Sequence, residues 1–197
     1  TFDVIETKYK NYQTKFKGTD YTEEVLLSDP IDRIESDAHF ENYSEGQTLH
    51  IRHKIVEFKD HNSSNNLLLD QENFEALNNF YNEKAFLLEE IQSDLFNDIQ
   101  DYSEERINEL LEKKYKGDFE KDIRTAKAFL NHFNKLDNWV ELALKKALIS
   151  AAESKADIFS MLDENGQNNR WRKKGDERKK FDLIYGVVAK KIIQKFA

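Results

Sequence analysis

Apolar and polar residues alternate along residues 48–58. Leu49, Ile51, His53, Ile55 and Glu57 fall on one face of a strand, and His50, Arg52, Lys54, Val56 and Phe58 on the other. Residues 85–92 form a second extended run and predict a buried strand whose polar end emerges at residues 89–94. Simple alternation points Phe86, Leu88, Glu90 and Gln92 one way and Leu87, Glu89 and Ile91 the other. Residues 156–162, with Ile158, Met161 and Leu162 apolar, predict a third strand. Residues 21–27 end in Val25-Leu26-Leu27 and fit either a short buried strand or a helix end, and Pro30 breaks whatever precedes it. Gly18-Thr19-Asp20 reads as a turn.

Helical spacing dominates the remainder. Asp70 is a candidate N-cap for a short helix with Phe74, Leu77 and Tyr81, after a turn-rich loop over 59–66. Ser103 caps a second helix with Ile107, Leu110, Leu111 and Tyr115 on its stripe and Gly117 as its stop. Residues 118–133 continue as helix. Asp137 or Asn138 caps the strongest helix, where Val140, Leu144, Ala147, Leu148 and Ala151 recur on one face. Residues 163–180 read as a loop or irregular segment, and 181–197 as an amphipathic helix through Leu183, Ile184, Val187, Val188 and Ile192. No internal repeat is visible. The predicted class is α+β: a small mixed central sheet of about 3–5 strands covered by helices, with a helix-rich C-terminal half. The apolar runs at 85–92 and 156–162 predict central strands covered on both faces.

Composition narrows the chemistry. The 197 residues carry 30 Lys+Arg against 38 Asp+Glu, a net charge of −8, with 39 % hydrophobic and 12 % aromatic residues. That content supports a packed core rather than disorder. The expected organisation is a single domain over 1–197, with an aromatic and polar segment over 1–47 and a sheet-and-helix core over 48–197. The chain starts without Met, which suggests a piece of a longer protein. With no cysteine, a disulfide scaffold, thiolate metal sites and cysteine nucleophiles are excluded. No run of 18 or more apolar residues exists to span a bilayer, so no membrane partner is expected, and residues 1–10 carry no signal core.

Three constellations carry possible chemistry. The first is Glu89-Glu90-Ile91-Gln92-Ser93-Asp94. Either the strand surfaces here, its acids solvated and Ser93 or Asp94 capping the next helix, or Glu90 and Gln92 line a cleft. In a cleft, Glu90 and Asp94 could ligate a hard cation such as Mg²⁺ or Mn²⁺, or Glu90 could act as a base. The second is His50-Ile51-Arg52. It is either a solvated strand face or an anion site with a planar guanidinium and a protonatable imidazole. The third is the basic run of Arg170, Trp171, Arg172, Lys173 and Lys174, continued by Arg178, Lys179 and Lys180. Such a run is a solvated loop or a phosphate-contacting patch with Trp171 stacking on a base. No Gly-rich phosphate loop and no paired-His metal spacing occur.

These residues also form an ordered pattern. Tyr12, Gly18, Tyr21 and Glu24-Val25-Leu26-Leu27 open it. His39, Glu45, Leu49, His50 and Arg52 follow, then the full E-E-I-Q-S-D block, and then Trp139 with Leu142-Ala143-Leu144-Lys145-Lys146-Ala147-Leu148. Gly166, Gln167, Arg170 and Trp171, and a Lys-rich helix bearing Tyr185, close it. In this the chain resembles a domain of the very long polyvalent proteins of phages and prophages. The resemblance implies an accessory, virion-associated role, partners among other domains of a longer phage protein or virion components, and a location in the virion or the host cytoplasm. It carries no reaction with it. A second likeness is to nucleases that place E-x-K or E-x-Q on a central strand beside an upstream acid. Glu90-Ile91-Gln92 fits, but Ile55 stands where the acid would follow the H-x-R strand and Glu57 lies on the face opposite His50. Two expectations result: a non-catalytic accessory domain, or an enzyme. The enzyme would be a metal-dependent nuclease or a transferase for an anionic substrate, with its cleft built from Glu90, Gln92, His50 and Arg52.

Overall fold

The computed structural model describes residues 2–5, 14, 18–28, 47–57, 83–114, 120–171 and 175–196. Five strands form one mixed sheet in the order β1 (Phe2–Ile5), β2 (Thr19–Leu27), β3 (Gln47–Glu57), β4 (Lys84–Gln92) and β5 (Ile158–Met161). The first four are antiparallel neighbours and β5 runs parallel to β4. A parallel return needs a long crossover. Here it consists of α1 (Asp94–Ile99), α2 (Glu104–Lys114), α3 (Glu120–Phe133) and α4 (Leu136–Glu153). After β5 come α5 (Glu164–Trp171), α6 (Gly175–Phe181), a π-helical stretch (Asp182–Val188) and α7 (Ala189–Ile193). The α+β class is therefore what the sequence pattern implies. No helix among the described residues is long and apolar enough to cross a membrane.

The alternation read along β3 holds: Leu49, Ile51 and Ile55 enter the hydrophobic core, where Phe86, Leu88 and Ile91 of β4 join them. Trp139, Val140, Ala143, Leu144 and Ala147 supply the covering face of α4, and Trp139 packs against Phe96 of α1 at 5.6 Å between rings. Ser93 caps α1 as expected, its hydroxyl accepting from Phe96 N at 3.0 Å while donating to Thr48 O at 2.7 Å. Ser103 caps α2 through Arg106 N at 3.2 Å.

Several expectations are corrected. Phe2–Ile5 is a strand that its four residues were too few to announce. Gly18-Thr19-Asp20 is no separate turn: β2 already begins at Thr19, and Asp20, at φ 52°, sits in a bulge of the β2–β3 ladder. Gly18 has no room for a side chain, because a Cβ would stand 2.5 Å from Ile55 O. The cap position of α4 is Lys135, without a side-chain cap, rather than Asp137 or Asn138. β5 lies at the end of the strand order, half-buried, and not centrally. Residues 163–180 are not a loop. Asp163 Oδ1 caps α5 through Gly166 N at 2.7 Å, and α6 follows. The predicted C-terminal helix is interrupted by the π-helical stretch. The helix expected after Asp70, the loop over 59–66 and the stop at Gly117 lie outside the described residues.

β5 pairs only with Ala85–Leu88, which leaves the last residues of β4 without a strand on that edge. Side chains complete the ladder. Tyr185 OH accepts from Ile91 N at 3.0 Å and donates to Ile91 O at 2.8 Å, while Gln167 Nε2 and Arg170 Nη1 donate to Glu89 O. A backbone group left unpaired in the interior carries a large penalty, and the C-terminal helices meet that need.

Candidate functional site

On the sheet face away from the apolar core, the register lines up three charged residues. Glu23 of β2 lies opposite Arg52 of β3, and Arg52 lies opposite Glu90 of β4. One row along, His50 lies opposite Gln92. The four residues singled out from the sequence, His50, Arg52, Glu90 and Gln92, thus share one face on adjacent strands. Arg52 Nη1 donates to Glu90 Oε2 in a buried ion pair. Arg52 Nε is 3.9 Å from Glu23 Oε1, His50 Nε2 is 3.4 Å from Glu23 Oε2, and Tyr21 OH donates to Glu23 Oε1 at 2.9 Å.

A bulge brings a second carboxylate to the same face. Pairing passes from Arg52↔Glu90 to His53↔Leu88, so Glu89 is an extra residue in β4. This reverses the predicted facing of the strand's first half. Phe86 and Leu88 join Ile91 on the core face instead of sharing the face of Glu90 and Gln92. The reading in which the acids emerge into solvent is also overturned, since Glu89 is 0 % and Glu90 4 % exposed. Glu89 Oε1 is 2.8 Å from Lys54 Nζ. Arg170 Nη2 is 3.5 Å from Glu89 Oε2 and 3.9 Å from Glu90 Oε2. Three carboxylates (Glu23, Glu89, Glu90) therefore face three permanent cations (Arg52, Lys54, Arg170), and their formal charges cancel.

The protonation states follow. Burial pushes the Glu23 carboxyl upward, but hydrogen bonds from His50 and Tyr21 and the charge of Arg52 outweigh it, so Glu23 sits below the usual carboxylate range. Burial, reinforced by Arg52, holds His50 below its ordinary value and favours the neutral imidazole. Burial and the neighbouring Glu23 raise the Tyr21 phenol and keep it protonated.

A second polar cluster lies on the helix-covered side of the sheet. Glu24 receives Ser150 Oγ at 2.7 Å, His53 Nε2 at 2.9 Å and Lys146 Nζ at 2.6 Å. These donors overcome the burial penalty and bring the Glu24 carboxyl down to about 2. The cluster fastens α4 to β2 and β3.

Of the basic run, Arg170 is turned inward onto Glu89 and Glu90, with its guanidinium 5.1 Å from the Trp171 ring. Arg172, Lys173 and Lys174 lie outside the described residues. So does the side chain of Asp94, which opens α1. Sequence reasoning missed Glu23, Lys54 and the inward role of Arg170. A signal for Glu23 existed in the Tyr21, Glu23, Val25 spacing, which shares one strand face. The donors do not fit Mg²⁺ or Mn²⁺. Glu90 is committed to Arg52 with Arg170 beside it, and among the described residues no group of three or more His, Asp or Glu is placed to hold a metal ion.

No protein-family model, no curated protein and no solved structure matches the chain.

Proposed function

We propose that this chain is an accessory, non-catalytic domain of a phage polyvalent or virion-associated protein, and that its buried ion cluster holds the sheet in register rather than turning over a substrate. The context rests on the ordered sequence pattern, above all E-E-I-Q-S-D and the Trp139 helix. The observation that carries the non-catalytic reading is the pairing of every carboxylate in the cluster: Glu90 with Arg52, Glu89 with Lys54 and Arg170, Glu23 with Arg52 and His50. A carboxylate so engaged has lone pairs committed to permanent cations, which opposes both metal ligation and proton abstraction.

Incubation of the protein with single- and double-stranded DNA and RNA in Mg²⁺ or Mn²⁺ tests this reading. No cleavage is expected. Cleavage that Glu90→Gln abolishes overturns it.

A second reading is favoured by one observation, the neutral His50 beside Glu23 and Arg52. A neutral imidazole next to a guanidinium is the pairing a transferase for an anionic substrate would use. A thermal-shift screen of nucleotides and phosphorylated sugars separates the two, because a ligand of the native state raises Tm. A rise that Arg52→Gln removes favours the enzyme.

A further inference from the structure

The Lys54–Glu89 pair does more than cancel charge. Both oxygens of Glu89 receive the main-chain N–H of Thr14, at 3.1 and 3.2 Å, and Glu89 Oε1 also receives the Thr14 hydroxyl. Lys54 Nζ, itself 2.8 Å from Glu89, donates to the Thr14 carbonyl at 3.0 Å. One buried acid–base couple thus engages the N–H, the C=O and the side-chain hydroxyl of a single residue. We propose that Lys54 and Glu89 form a receptor for an extended peptide presenting a Thr or Ser, which Thr14 of the same chain occupies in cis.

Three features argue for a receptor rather than a local turn. Thr14 is 75 residues from Glu89 and 40 from Lys54, so it reaches the pair as a separate segment. The receiving side is built without it. Lys54 and Glu89 stand on neighbouring strands, the bulge aims Glu89, and Gln167 and Arg170 hold the Glu89 carbonyl. Thr14 is half-buried, so the occupant borders solvent while the receptor lies beneath it. The chemistry selects a hydroxyl residue: an apolar side chain would leave a buried carboxylate one donor short, and proline would remove the N–H as well. The inference goes beyond the accessory-domain reading and stands independently of whether the protein cleaves nucleic acid.

The test uses the full chain and a fluorescein-labelled heptapeptide with the sequence of residues 11–17, read by anisotropy. Thr14→Pro removes the cis N–H and hydroxyl, and this variant is expected to bind the peptide about tenfold more tightly than the unaltered chain. Replacing the peptide's Thr by Val is expected to lose about tenfold on the same variant, and adding Glu89→Gln to lose the binding. Equal binding by the unaltered chain and Thr14→Pro, or by the Thr and Val peptides, overturns the proposal. If circular dichroism shows Thr14→Pro unfolded, Thr14→Val carries the test. It lacks only the hydroxyl, so a gain of about threefold supports the receptor and no gain overturns it.

Discussion

Glu24 and His50 are the two side chains whose protonation differs most usefully between the folded and unfolded chain. Glu24 falls from its ordinary 4.5 to about 2 in the fold. A depressed carboxyl contributes stability that is full above its unfolded value and is lost as pH falls through its folded value. That contribution is on the order of 3 kcal/mol at neutral pH, and it disappears between pH 4.5 and about 2. His50 is also lowered. The unfolded chain therefore takes up a proton near pH 6.5 that the fold resists, and stability declines as pH drops below about 6.5. Urea unfolding across pH is expected to show both declines. His50→Gln should flatten the first and Glu24→Gln the second. Two unchanged profiles would show that neither environment is as described. The facing of His50 was legible from the alternation of β3, because a strand without an irregularity keeps its parity. The environment of Glu24 was not, since its donors come from β3 and α4, and no local pattern couples residues so far apart.

The elements are held by end and edge contacts as much as by apolar faces. At the end of α4, Lys155 N donates to Ala152 O at 3.0 Å and Ala156 N to Ala151 O at 3.2 Å, with Lys155 at φ 55°. This is the two-bond helix stop that glycine usually occupies. A lysine there carries left-handed strain, so Lys155→Gly is expected to stabilise the protein by roughly 0.5–1 kcal/mol, read as a higher urea midpoint. A lower midpoint would contradict the strained assignment. At the free end of β4, Tyr185→Phe removes both bonds to Ile91 and leaves a buried N–H and C=O unpaired. The expected loss is about 2–4 kcal/mol, and faster amide exchange at Ile91 would locate it. A variant as stable as the parent would remove the edge-completing role. Element legibility follows the same physics. The strands β3 and β4 and the helices α2 to α4 carry clear periodicity. The face of β4 was misread because one bulge residue, Glu89, reverses every side chain on one side of it. The helix α5 was read as irregular because its buried positions are Gln167 and Asn168, amides that dock on polar partners rather than an apolar stripe.

Over the whole molecule, a sheet with an apolar face and an ionic face sets two opposing terms against each other. Burying the ions costs several kcal/mol each, which their mutual attraction repays only when the geometry is complete. The assembly therefore tolerates removal of a whole pair better than removal of half of one. The direct measurement is a double-mutant cycle at Arg52 and Glu90, followed by urea unfolding. Glu90→Leu alone leaves Arg52 with a buried charge less well compensated and is expected to cost about 3–5 kcal/mol, while Arg52→Met with Glu90→Leu recovers most of that loss. If the two substitutions simply add, or if Glu90→Leu leaves stability untouched, the cluster is not what keeps β3 and β4 in register, and the structural account of this face fails.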